Sequence, residues 1–288
     1  MLVTGYHERT AADMAAPSGA ADLTTVDWLL TTTRSVRRRL DVTRPVERAL
    51  IEECLQLAVY APNAEARQNW RWYVITDKDR RHVLSEYYRI AWAKRNSEGI
   101  LARRGRWRDR SGNQRTHESA RWLAEHLGEV PVLVIPCVLG SPVTEREVQQ
   151  LEALWRTGDD RCQPLARLVA DATFYGSIFP AIWSFQLALR SRGLGSSITT
   201  LHLPFHQFVA DELGIPRQAT QIALLPIAHT KGNDFGTPSR VPARSLTFWN
   251  EWGRPRADSA LREHFISSVR GKPSLPVAKA RENSEKLQ

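Results

Sequence analysis

From about Leu165 to Arg192 the chain carries apolar side chains at helical spacing on nearly every face, then stops at Gly193-Leu194-Gly195. A helix apolar all round has no face for water, so the pattern predicts a central helix covered from several sides. Val130 to Leu139 (VPVLVIPCVL) is almost as apolar, and reads as a strand buried on both faces, with Pro131 and Pro136 implying an edge or a bulge along it. A single small sheet can scarcely cover a helix that carries Phe179, Trp183 and Phe185, which points to an obligate homodimer with a large apolar interface.

Other elements arrange themselves around these two. Val46, Ala49, Leu50, Cys54, Leu57, Ala58 and Ala61 predict a helix from Pro45 to Ala61, with proline in the first turn. Trp70 to Ile75 reads as a strand, Asp79 to about Trp92 as a helix, and Glu118 to Leu127 as a short amphipathic helix. Ser196 to Thr200 reads as a short strand, Phe205 to Leu213 as a helix stopped by Gly214 and Pro216, and Gln221 to Ala228 as a second buried strand. Residues 1–23 read as a flexible arm, 24–269 as one domain without repeat or linker, and 270–288 as a polar flexible tail.

Several functional classes are excluded. No run approaches the ~20 apolar residues of a membrane-spanning helix. The N-terminus, with His7, Glu8, Arg9 and Asp13, has no apolar segment of the secretory kind. Cys54, Cys137 and Cys162 are odd in number and far apart, which argues against a disulfide framework or zinc knuckle and fits a reducing cytoplasm. The net charge of +9 invites a nucleic-acid partner. Its distribution argues otherwise, because Lys94 to Arg115 alone holds eight basic residues against Glu98 and Asp109, a local +6. That excess marks a basic insertion, residues 94–128, read as a solvated loop or as a lid over a site.

Most motif-like spacings have bland explanations. Gly193-Leu194-Gly195-Ser196 follows a helix and precedes a strand, the reverse of a dinucleotide-binding loop, so helix capping is its expected role. His202 and His206 stand four apart, but Pro204 lies between them and no carboxylate or thiolate completes a metal site, so no metal is expected. No GxSxG, HExxH or P-loop is present.

Arg34-Ser35-Val36-Arg37-Arg38-Arg39 is sharper. Read as lying just before a helix N-terminus, it combines guanidinium forks, a hydroxyl and free N–H groups, a set suited to a phosphate monoester. Taken with Ala61-Pro62-Asn63-Ala64-Glu65-Ala66-Arg67-Gln68-Asn69-Trp70-Arg71-Trp72, the central helix running into Gly193-Leu194-Gly195-Ser196, and Arg240-Val241-Pro242, it resembles the FMN-dependent nitroreductase family in order and spacing from about Thr24 to Trp252.

The resemblance implies an α+β subunit, a mixed sheet flanked by helices, with FMN at a homodimer interface. It implies that Arg34, Ser35, Val36 and Arg37 with Arg240 hold the phosphate, and that Pro62, Asn63 and Gln68 lie near the ribityl chain and pyrimidine edge. Thr199 and Thr200 would line the flavin, and the turn Gly176-Ser177-Ile178-Phe179-Pro180 would approach from the partner. Three positions depart from the family pattern: Thr33 and Ala66 stand where arginine and asparagine are frequent, and Asn69 replaces a proline. The implied activity is NAD(P)H-driven, ping-pong reduction of an aromatic or conjugated acceptor. Alternatives are a specialised branch (dehalogenation, biosynthetic oxidation, flavin fragmentation) or flavin storage without turnover.

Overall fold

The structure, a computed structural model, describes residues 22–97, 110–155 and 166–252. The chain divides into two compact units, Met1–Thr237 and Pro238–Gln288.

The first unit is an α+β fold around a six-stranded sheet. Its strands are β1 (Leu40–Asp41), β2 (Trp70–Ile75), β3 (Val132–Leu139), β4 (Leu194–Ser196), β5 (Ala219–Gln221) and β6 (Leu225–Thr230). The path runs β1-β6-β3-β2, with β4 also on β6 and β5 also on β3. Each of these ladders is antiparallel, and an isolated bridge between Gly140 and Ala219 is parallel. The helices are α1 (Leu23–Thr32), α2 (Arg48–Ala58), α3 (Lys78–Ser97), α4 (Arg110–His126), α5 (Glu145–Trp155), α6 (Ala166–Ser191) and α7 (His206–Leu213).

β3 explains its own sequence. Val132, Val134 and Val138 join the cluster formed with α2 and α6, whereas Leu133, Ile135 and Cys137 join the cluster formed with α3, α4 and α7. Both faces are covered, so every position is apolar. The edge expected from its prolines is not found, because β3 pairs with β2 along Val138 to Leu133 and with β5 and β6 on its other side. Pro136 sits where the neighbour changes from β6 to β5, and its carbonyl accepts from Ile222 N–H at 2.9 Å. The missing donor therefore falls in a gap of the ladder. The same gap splits the strand expected over Gln221 to Ala228 into β5 and β6.

α6 is the central helix, with Ile178, Ala181, Ile182, Phe185 and Leu189 wholly buried, and it packs chiefly on α2. It is not covered all round: Tyr175, Phe179 and Trp183 form an i, i+4, i+8 stripe, each nearly 40% exposed. Gly193, at φ +74°, caps its end as expected, since only glycine takes that conformation without strain.

Other boundaries shift. α2 begins at Arg48, three residues after Pro45. α3 runs five residues past Trp92, so Lys94 to Ser97 of the basic insertion are helical, and α4 begins at Arg110. Arg103, Arg104, Arg106 and Arg108 lie outside the described residues, as do the expected N-terminal arm up to residue 21, the tail, and Cys162. α5 was unforeseen. Thr144 and Glu147 close its N-terminus reciprocally, with Thr144 N–H donating to Glu147 Oε2 at 2.7 Å and Glu147 N–H to Thr144 Oγ1 at 3.3 Å.

Candidate functional site

Arg34 to Arg39 does not precede a helix. It follows the C-terminus of α1 and runs into β1, nine residues before α2. Any phosphate held here meets side chains and loop amides, and the helix dipole contributes nothing. Val36 is buried, and its N–H is already donated to Ser196 O at 2.8 Å. This bond lays the arginine segment alongside the end of β4. Gly195 permits the approach: a Cβ there would stand 2.7 Å from Thr230 Cγ2 and 2.9 Å from Val36 Cγ1.

The side chains of the segment differ. Arg34 is exposed and donates through Nη1 to Gly236 O at 3.2 Å. Arg39 lies over the Phe235 ring at 4.2 Å and pairs with Asp234, so it secures the loop after β6. Ser35 is exposed, with no partner for its hydroxyl among the described residues. Arg37 is half-buried and has neither a carboxylate nor a carbonyl partner among the described residues, and burial pulls its pKa below the ordinary arginine range. A desolvated cation without a counter-charge is unfavourable unless an anion joins it.

Thr199 and Thr200 follow β4. Thr199 is pinned to Leu224 by two backbone bonds, 3.0 and 2.8 Å, and its Oγ1 lies 3.0 Å from the hydroxyl of buried Tyr88 on α3. Tyr88 also lies within electrostatic reach of Arg37. Thr200 is exposed, and its carbonyl accepts from Leu203 N–H at 3.1 Å. Tyr88 was not singled out from the sequence, where it is one tyrosine of an ordinary amphipathic helix.

The Pro62 to Gln68 turn forms a separate cluster. Gln68 N–H donates to Asn63 Oδ1 at 3.0 Å, and Gln68 Nε2 donates to Val59 O at 3.3 Å. Ala64 N–H reaches Ser177 Oγ on α6 at 3.2 Å. Glu65, Ala66 and Gln68 all have φ between 44° and 55°, a region costly for residues other than glycine. Such strain held by surrounding bonds clusters at functional turns. Among the described residues of one chain, no hydrogen bond or ion pair joins this turn to Arg34, Arg37 or Thr199. Arg240 belongs to the second unit, where its Nη1 donates to Ser239 O at 3.0 Å.

Other candidates are silent chemically. Cys54 and Cys137 are free and buried, with burial pushing each thiol up to about 11, so neither is a ready nucleophile. No His, Cys, Asp or Glu cluster among the described residues could hold a metal. His202 is wholly buried with both ring nitrogens unpartnered, and burial lowers its pKa to about 4. The unfolded chain, with histidine near 6.5, binds more protons as pH falls, so this contribution is complete above about pH 6.5 and is lost toward pH 4. His202→Leu should therefore make the drop in unfolding free energy between pH 7 and pH 5.5 smaller by about 1 kcal/mol. Urea titrations at the two pH values check this.

A family model, the Nitroreductase family, matches residues 30–229. The chain belongs to the nitroreductase family. Its fold is that of solved nitroreductase-like structures. A nitroreductase-like family protein from Bacillus cereus is 17% identical, with 82% of this chain and 100% of that one covered and a TM-score of 0.52. A BluB-like flavoprotein from Clostridium difficile 630 is 18% identical over 78% and 99%, TM-score 0.53. An iodotyrosine deiodinase, bound to FMN and 3-iodo-L-tyrosine, is 18% identical over 74% and 94%, TM-score 0.52. No curated protein matches the sequence. Among the described residues of this nitroreductase-family chain, no helix is long and apolar enough to cross a membrane.

Proposed function

We propose that this nitroreductase-family chain is an FMN-dependent oxidoreductase that draws electrons from NAD(P)H and reduces a small aromatic or conjugated acceptor, working as a cytoplasmic homodimer. The observation that carries this reading is Arg37, a half-buried guanidinium with no counter-charge among the described residues, beside the free hydroxyl of Ser35. That donor set fits a phosphate monoester, which brings nearly two negative charges and three acceptor oxygens. Arg37 and Ser35 would hold the phosphate directly, and Arg34 would do so with the N–H groups not spent on Gly236. Arg240 is the further candidate that the family resemblance supplies.

Bound FMN would supply the two-electron chemistry, and the protein's part is to bind, orient and exclude water. Thr199 and Thr200 would line the cofactor. Among the described residues of one chain, Pro62, Asn63 and Gln68 share no bond with the arginine segment, which suits a site completed by a second copy. The stripe of Tyr175, Phe179 and Trp183 offers that copy an apolar surface. Light scattering of the flavin-loaded protein should give twice 32.7 kDa, and a stable species of 32.7 kDa contradicts the dimer. Steady-state oxidation of NADH and NADPH with quinone or nitroaromatic acceptors tests the activity. Protein that binds FMN yet oxidises neither nucleotide with any acceptor would leave a binding protein, not an enzyme.

A further inference from the structure

Tyr88 is 3% exposed, set in the core among residues of α3, α4 and α7 together with Val36 and Leu224. Burying a phenol demands a partner for its hydroxyl, and the partner here is Thr199 Oγ1 at 3.0 Å, 111 residues further along the chain. The direction of this bond can be argued. Arg37 and Arg95 both lie within electrostatic reach of the phenol. Of the two hydroxyls the phenol is the stronger acid and, with its lone pair delocalised into the ring, the weaker acceptor, which favours donation of the Tyr88 proton to Thr199 Oγ1. Thr199 Oγ1 also faces the N–H of Leu201 at 3.5 Å. Its acceptor capacity is thereby spent, and its own proton remains as its outward donor. The backbone of Thr199 is already fixed by its two bonds to Leu224, so the hydroxyl rotor is the remaining freedom, and Tyr88 removes it.

We propose that Tyr88 is a positioning residue of the cofactor site, holding the Thr199 hydroxyl as a hydrogen-bond donor toward the bound flavin and so raising its midpoint potential. This inference rests on the reading that Thr199 lines an FMN site. A fixed donor favours the more negatively charged, reduced form of the cofactor over the oxidised form. Tyr88 touches neither cofactor nor substrate in this account; it acts through Thr199. Its hydroxyl is bonded to Thr199 alone, and Arg37 acts on it only through space.

The test compares Tyr88→Phe, Thr199→Val, Thr199→Ser and the Tyr88→Phe/Thr199→Val double variant, each as apoprotein titrated with FMN and as FMN-loaded protein in spectroelectrochemistry. Tyr88→Phe should lower the two-electron midpoint potential by about 30 mV, the equivalent of a tenfold loss in affinity for reduced relative to oxidised cofactor. The dissociation constant of oxidised FMN should change less than about threefold. Thr199→Val should lower the potential similarly, Thr199→Ser should retain it, and the double variant should fall no further than Thr199→Val alone. If Tyr88→Phe does not fold, the contrast between Thr199→Val and Thr199→Ser still decides whether the hydroxyl sets the potential. An unchanged potential in Tyr88→Phe, or a fall equally large in the Thr199→Val background, overturns the proposal alone. Wild-type protein that takes up no FMN overturns the flavin reading, and this proposal with it.

Discussion

Arg37→Met is expected to weaken FMN binding about tenfold to a hundredfold while leaving the apoprotein as stable as wild type, or more so. A hydrogen bond to a charged group contributes about 1.5–3 kcal/mol net, and each ~1.4 kcal/mol is tenfold in dissociation constant. Methionine keeps an apolar stem in the half-buried site, so the loss is charge rather than packing. The stability side follows from the same observation: Arg37 has no carboxylate partner among the described residues, and burial lowers its pKa, so in the apoprotein its charge is held at a cost. Riboflavin, which lacks the phosphate, should bind both proteins equally. Fluorescence titrations with the two ligands and urea unfolding of the apoproteins measure all three quantities. Equal loss of FMN and riboflavin would remove Arg37 from the phosphate site.

Phe185→Ala is expected to cost about 3–5 kcal/mol of unfolding free energy, a large part of the ~5–15 kcal/mol that holds most domains together. Phe185 is wholly buried on α6 and lies 5.5 Å, centroid to centroid, from the Trp72 ring on β2. It therefore bridges the central helix and the edge of the sheet. Ile178, Ile182 and Leu189, on the same helix and equally buried, leave little freedom for the space to collapse. Phe185→Leu should cost much less, because most of the volume is kept. Urea midpoints of the two variants check the ranking. If alanine costs under 1 kcal/mol, the packing role given to α6 is wrong.

The parts of this fold legible in the sequence are those fixed by local pattern. The periodicity of α6, the glycine after it and the unbroken apolar run of β3 each have one physical solution that neighbours in sequence suffice to state. Where the reading failed, the deciding partner lay far along the chain. Pro136 looks like an edge residue until β5 and β6 are seen to meet opposite it. Arg34 to Arg39 looks like a helix approach because Pro45 begins a helical pattern, yet the intervening residues go to β1. α5 carried readable signals that were passed over: Thr144 and Glu147 have the spacing of a capping box, and Val148, Leu151, Leu154 and Trp155 recur at helical spacing.

The site divides the same way. Arg37 and Ser35 are phosphate candidates from their chemistry, whereas Asn63 and Gln68 are candidates through the family resemblance alone, and the strain of their turn shows only in the backbone angles. Tyr88 had no local mark, since its partner is Thr199. Arg190 near the end of α6 looks like a helix-terminal cation, yet it is buried between the rings of Trp28 at 4.7 Å and Phe235 at 4.8 Å. With Arg39 it fastens the Asn233 and Asp234 loop, a role no short-range spacing announces.

A chain that holds FMN, as proposed, should show it in the flavin content of the purified protein. Absorbance near 450 nm, or titration of colourless protein with FMN, should reach about one flavin per chain. A preparation that is colourless and gains no flavin when FMN is supplied in excess would contradict the account.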